Sequence, residues 1–438
     1  MYRFGRLGLA LGLCLCLVPA QGIAGSGTDD RGVILRDWYR MILELVRHTP
    51  TYTPPVASRS FAYTAIIAYE SVTVGQQRWH SLGGQLAGLP PLPAPDTASP
   101  LDPDAVLNAA MELAVDTYFS NTGPTGQRAK AAMAKAMDRR VSEGMDPALI
   151  DASRAYGQAI ARHVIDASLS DGGAVVENMG FPMAYTLGGE PQDWVPTSLV
   201  NLQQFPLLPD WGNNRPLAMP DAGACALPPP PPYSEDPSSP FHAEAMEVYE
   251  TSKSLTDEQK LIARFWSDDP MLSPTPPGHW VSIVLEIAAR DGLPPEQLAD
   301  LLARTGIAVS DGFIANWRDK YTHDLLRPVT YIRRLIDPVW EPLLITPPFP
   351  EYPSGHSTQS GAAASVLTAA LGDPFPFTDS THVADGLPAR DFPDFATAAR
   401  EAALSRLYGG IHFRAAIDRG LEQGACVGAF VNAIKTAE

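Results

Sequence analysis

Two histidines, three basic side chains and a Ser-Gly pair fall in three short stretches of the C-terminal half: Lys320 to Pro328, Pro353 to Ser357, and Ser405 to His412. In the middle stretch, Pro353-Ser354-Gly355-His356-Ser357 runs into the apolar sequence Gly361 to Leu367, so a helix is predicted to start at the Ser-Gly pair. A helix start presents free backbone N–H groups and a partial positive charge, which suits it to hold an oxyanion. The same pentapeptide, alone, is equally a Ser-capped helix carrying a surface histidine. Its flanks change that reading. Lys320 and Arg327 are seven residues apart, close to two helical turns, and are predicted to share one face about 10 Å apart along the axis, reaching one anion from two directions. Arg406 and His412 are six apart and would diverge on a continuous helix, but Tyr408-Gly409-Gly410 supplies a stop and a turn between them. Arg406 is therefore predicted to end a helix and His412 to follow the turn, both facing one pocket. Fixed cations and N–H donors around a tetrahedral or trigonal-bipyramidal oxyanion, with two imidazoles at hand, suit nucleophilic and acid–base chemistry.

These groups need rigid supports, and the apolar periodicity supplies helices. Ile34 to His48 carries apolar residues at helical spacing, and a second helix is predicted over Ser58 to Val74. Others are predicted at Asp104 to Phe119, Gly126 to Gly144, Pro147 to Leu169, Pro240 to Lys253, Thr256 to Trp266 and His279 to Ala289. A long one runs from Pro294 to Ile336 with a break, followed by Ser357 to Leu371, Asp394 to Tyr408 and Asp418 to Thr436. Thr256 and Gln259 form a capping box, and Gly420, Gly424 and Gly428 recur every fourth residue as a close helix contact. No strand-like alternation is seen. The predicted fold is all-α: an N-terminal helical half (25–170), a Pro- and Gly-rich connecting segment (171–239) and a C-terminal helical half (240–438) that holds the chemistry. The connecting segment is read as a covering over the helices, with Trp194, Phe205 and Trp211 as anchors.

Length and composition fit a globular chain with a substantial core, 438 residues with 45% hydrophobic and 18% charged. Met1 to Ala24 reads as a secretory leader, with Arg3 and Arg6 before the apolar stretch Leu7 to Val18, which makes the protein secreted or periplasmic and leaves no membrane span after cleavage. Losing those two arginines takes the formal charge from −17 to −19, which argues against nucleic acid or an anionic membrane as partner. In so acidic a chain, Lys320, Arg327 and Arg406 could each pair with a carboxylate, or share one phosphate-like anion. Cys14 and Cys16 leave with the leader; Cys225 and Cys426 remain, free to pair in an oxidising compartment or to persist as buried thiols. There is no C-x-x-C, H-E-x-x-H, Walker or EF-hand sequence, and no divalent metal site is expected.

Lys320-x6-Arg327-Pro328, Pro353-Ser354-Gly355-His356 and Ser405-Arg406-x5-His412 together resemble the superfamily of type 2 phosphatidic acid phosphatases and vanadium-dependent haloperoxidases. The resemblance implies that His412 is either the phosphorylated nucleophile or the vanadate ligand, and that His356 is the acid–base group. Lys320, Arg327, Ser354, Gly355 and Arg406 would hold the equatorial oxygens. It leads to a vanadate-dependent haloperoxidase using hydrogen peroxide and halide, or to an acid phosphatase acting on phosphomonoesters with no cofactor. A non-catalytic periplasmic oxyanion-binding protein ranks third. Trp317 and Phe349 match positions that shape the halide pocket in fungal vanadium chloroperoxidases, whereas algal bromoperoxidases have histidine at the latter. The softer similarity around Arg59 suggests the early helix of secreted bacterial relatives, or a solvated first-turn residue. The superfamily has an acidic residue four places after the last histidine to orient it; here that place is Ala416, and Asp418 either takes the role or caps the final helix.

Overall fold

The computed structural model describes residues 30–95, 100–198 and 204–437; the leader-like stretch Met1 to Ala24 lies outside them. Among these residues the chain forms thirteen α-helices and one two-stranded antiparallel ribbon. Helices α1 (Arg31–Arg47), α2 (Pro54–Thr73), α3 (Pro103–Tyr118), α4 (Pro124–Ser142) and α5 (Pro147–Ser168) precede the irregular stretch. After it come α6 (Pro240–Lys253), α7 (Asp257–Phe265), α8 (Thr275–Asp291), α9 (Pro295–His323), α10 (Pro328–Leu335), α11 (Gly355–Leu371), α12 (Phe395–Tyr408) and α13 (Arg414–Asn432). Most of these open on proline, whose fixed φ and missing N–H suit the first turn. Side-chain caps close several starts, including the Thr256–Gln259 capping box.

Helices α2, α9 and α11 are buried around nearly their whole circumference and form the centre of one core that runs from Ile34 to Val431. Helix α13 lies against α11 through its glycine row. A Cβ at Gly424 would come 2.2 Å from the Thr358 carbonyl oxygen, and one at Gly420 would come 2.6 Å from the Ser357 Cβ. That close approach fixes the first turns of α11, on which the Ser-Gly-His stretch sits. No helix among the described residues is long and apolar enough to cross a membrane.

The stretch between α5 and α6 runs over the helices and is tied to α9. Asp311, buried, accepts the N–H groups of Leu217, Ala218 and Met219 at 2.7–3.0 Å, and Asp319 accepts that of Leu227 at 3.0 Å. Trp194 and Trp211 are buried and Phe205 is partly so. Cys225 and Cys426 form a disulfide with a Cα separation of 5.8 Å, which joins the end of this stretch to α13.

Three expectations are corrected. The break expected in the run from Pro294 to Ile336 falls between Lys320 and Arg327: α9 ends where Asp324 enters the left-handed region at φ 43°, and Arg327 sits just before α10, so the two do not share a helical face. The last helix starts at Arg414, which puts Asp418 in its second turn, too late to cap it. Strands β1 (Phe377–Asp379) and β2 (Arg390–Phe392) pair antiparallel; three residues each are too few for alternation to register.

Candidate active site

The three stretches meet at the floor of a cavity of about 420 Å³. Gly355, His356, Arg406 and His412 line it, while Lys320, Arg327 and Ser354 lie fully buried behind them. Ser354 caps α11 by accepting the Ser357 N–H at 3.3 Å, leaving the N–H groups of Gly355 and His356 without intrahelical acceptors. Gly355 is not demanded by its backbone angle, and an added Cβ would only touch Trp317 at 3.6 Å; the space it leaves widens the cavity floor. Gly410, at φ 76°, makes the turn that separates Arg406 in the last turn of α12 from His412 before α13, as the spacing predicted.

The orientation of His412 follows from its partners. Arg327 Nη1 lies 3.1 Å from His412 Nε2, and since a guanidinium only donates, Nε2 accepts. The proton is therefore on Nδ1, which donates to Glu351 Oε1 at 2.7 Å; the same oxygen takes the Phe413 N–H at 2.9 Å. Burial, then the charges of Arg327, Lys320 and Arg406, hold His412 well below the ordinary histidine pKa, so its ring is neutral with a lone pair on Nε2. Glu351 is fully buried, and burial lifts its carboxyl to about 8 in spite of Arg327 and Lys320. Glu351 was not anticipated; it, and not Asp418, orients His412. Asp418 lies near Arg414 and Glu247 instead. The available signal was a single acidic residue inside the otherwise apolar Pro350-Glu351-Tyr352 run.

His356 lines the cavity beside Arg406, and its Nε2 is buried without a hydrogen-bond partner. Burial and Arg406 keep it well below the usual histidine pKa, in its neutral form. Arg406 gives Nη1 to the Trp266 carbonyl at 2.9 Å. Arg327 spends Nε on Phe349 O and Nη1 on Ile411 O, both at 2.9 Å, as well as on His412. Lys320 is directed to three backbone carbonyls, those of Pro350, Glu351 and Pro353, at 2.5–2.9 Å, so it supplies charge from behind the floor. Burial lowers Arg327 to about 9 and Arg406 to about 10, and with the neighbouring Arg327 charge it holds Lys320 well below its ordinary value.

Several buried polar atoms remain without partners here: Arg327 Nη2, Arg406 Nε, His356 Nε2 and Ser357 Oγ. Three desolvated cations and these unpartnered atoms give the site an excess of positive charge and donors, and leaving such groups unmet costs on the order of 1–3 kcal/mol each. A four-oxygen oxyanion matches the charge and the donor types of this set. Trp317 and Phe349 both line the cavity, their ring centroids 4.9 Å apart. The Trp317 N–H is engaged by Leu207 O at 3.2 Å, and Phe349 faces the cations of Lys320 and Arg327 at 5.2 and 5.0 Å. Above them the walls are apolar, with Phe181, Leu207, Leu272 and Phe313. Arg59 is not at this site; it is buried in an ion pair with Asp171 at 2.7 Å.

Residues 300–437 match a family model described as the VCPO second helical-bundle domain. Vanadium chloroperoxidase from Curvularia inaequalis is 30% identical over a stretch that covers 24% of this chain and 21% of that enzyme, so the match spans about a fifth of the fungal protein. Among solved structures, one described as the first bacterial vanadium-dependent iodoperoxidase superposes with a TM-score of 0.85 at 35% identity, over 93% of this chain and 97% of that one. A holo-type bacterial vanadium-dependent chloroperoxidase gives 0.68 at 17% identity, over 89% and 93%, a likeness of fold.

Proposed function

Because the chain belongs to the vanadium-dependent haloperoxidases, we propose that it oxidises halide with hydrogen peroxide at a vanadate held by His412, and that iodide is its preferred halide. The observation that carries this reading is the His412 geometry: Nδ1–H is held by Glu351, and Nε2 is turned to Arg327, beside the unpartnered Arg327 Nη2 and Arg406 Nε. Vanadate, when bound, activates peroxide for transfer of an oxygen atom to halide. The chain's own groups do the rest. Arg327 and Arg406 neutralise the oxyanion, Lys320 adds positive potential, and Gly355 and His356 offer N–H donors. Glu351 keeps the His412 lone pair pointed inward. His356, a neutral imidazole lining the cavity, takes a proton from incoming peroxide.

The preference for iodide rests on two supports. The 35% identical solved relative is described as an iodoperoxidase. Trp317 and Phe349 also give the cavity an aromatic wall with the tryptophan N–H already engaged, and a large, weakly hydrated anion loses least in leaving water for such a wall. We also place the protein outside the cytoplasm, supported by the leader-like N-terminus and the Cys225–Cys426 pair.

The test is to load purified protein with vanadate and measure peroxide-dependent oxidation of iodide, bromide and chloride, with p-nitrophenyl phosphate hydrolysis alongside. Iodide oxidation that requires vanadate is the expected result. Phosphate ester hydrolysis without halide oxidation would overturn the reading in favour of a phosphatase.

A further inference from the structure

A second buried cluster lies beside the cavity wall. Asp268 follows α7, His279 is in the first turns of α8, and His382 lies between β1 and β2; all three are buried. His279 Nδ1 is 3.0 and 3.1 Å from the two Asp268 oxygens, and His382 Nε2 is 3.1 Å from Asp268 Oδ1. The other nitrogen of each ring has its own carboxylate: His279 Nε2 meets Asp379 at 2.8 Å and His382 Nδ1 meets Asp385 at 2.9 Å. Trp266 stacks on His279, with ring centroids 4.4 Å apart.

We propose that Asp268, His279 and His382 form a binding site for a divalent transition cation, adjoining the oxyanion pocket through Asp268. Two imidazoles and a carboxylate are the ligand set of the borderline cations, and their donor atoms all lie within 4.8 Å of one another. The separations of 3.0–3.1 Å from Asp268 are close to those between ligands at about 2 Å from a shared cation. A carboxylate behind each ring is the arrangement that fixes a ligating histidine in orientation and tautomer. Charge points the same way. Asp268, Asp379 and Asp385 stand against Arg47, which pairs with Asp385. With both imidazoles neutral the carboxylates that touch the two rings outnumber the arginine paired with them, and a divalent cation supplies positive charge in place of ring protons. Such an ion would bind three separate segments together: the turn after α7, α8 and the β1–β2 connection. The inference uses none of the groups assigned to halide oxidation and stands apart from that reading.

The experiment is equilibrium dialysis of untagged, chelator-stripped protein against Zn²⁺ at pH 7.5, with metal content measured per chain, and Co²⁺ substitution read by visible absorption. One Zn²⁺ per chain at micromolar affinity or tighter is expected, together with a Co²⁺ absorption band. H382N should weaken binding at least tenfold and D385N about tenfold, the usual effect of losing a carboxylate behind a ligand. H412A should bind Zn²⁺ as the unaltered protein does. Absence of stoichiometric binding, equal binding by the unaltered protein and H382N (an adventitious ion only), or loss of binding in H412A would each overturn the proposal.

Discussion

Two buried polar clusters flank Trp266, and they are built on opposite terms. At the cavity floor three cations face Glu351 behind His412 and Asp269 beside Arg406, and several donors and acceptors have no partner. In the Asp268 cluster three carboxylates face two imidazoles and an arginine, and every ring nitrogen is engaged. Both are equally withdrawn from water, so burial alone does not separate a reactive site from a structural one. The difference is in what is left unmet: an open set of donors can take a ligand directly, whereas a set closed among its own side chains admits one only in exchange for ring protons.

That contrast is broken most sharply by H412A. It should abolish vanadate-dependent iodide oxidation, a loss of at least about 10³-fold or ~4 kcal/mol, while thermal unfolding without vanadate stays within a degree or two. A large fall in Tm would mean that His412 also holds the fold. Next comes D379A, which strips one partner from buried His279. It should cost about 3 kcal/mol of stability, read by denaturant unfolding, because a buried charge loses its counterpart; unchanged stability with lost activity would make this cluster part of the chemistry. E351Q keeps the shape but replaces the carboxyl that fixes His412 Nδ1 with an amide. A fall of roughly 10- to 100-fold in vanadate affinity is expected, measured by titrating the apoprotein. D418N, by comparison, should leave that affinity unchanged, and a matching loss would return the orienting role to Asp418. The smallest effect is assigned to W317F, which loses the bond to Leu207 O: about 1 kcal/mol of stability, with the KM for iodide altered less than threefold. A tenfold rise in that KM would show the indole touching halide.

How much of this could be read in advance depended on whether the determinant was local. Ser354-Gly355-His356 was legible because a cap followed by an apolar run specifies a helix start within a few residues. Arg406 and His412 were legible because Gly409-Gly410 signals the turn. Lys320 and Arg327 reach the same floor by a different route from the one their spacing implied. The break comes at Asp324, a non-glycine residue in left-handed geometry, held by Asp324 N–H to Lys320 O at 2.9 Å and Trp194 N–H to Asp324 O at 2.7 Å, and the second of these is a tertiary contact. Glu351 escaped notice because the orienting carboxylate was sought on the turn after His412, whereas it approaches from 61 residues earlier. The histidines of the second cluster lie more than a hundred residues apart and have no motif to announce them; only the packing of α8 against the β1–β2 connection brings them together.

The bond between Cys225 and Cys426 spans 201 positions, and every residue assigned to either cluster, apart from Arg47, falls between its ends. The chemistry is thus enclosed in one covalent ring, with the first five helices outside it. A single proteolytic cut anywhere in that ring would leave one molecule of undiminished mass on a non-reducing gel, and the fragments would separate only after reduction.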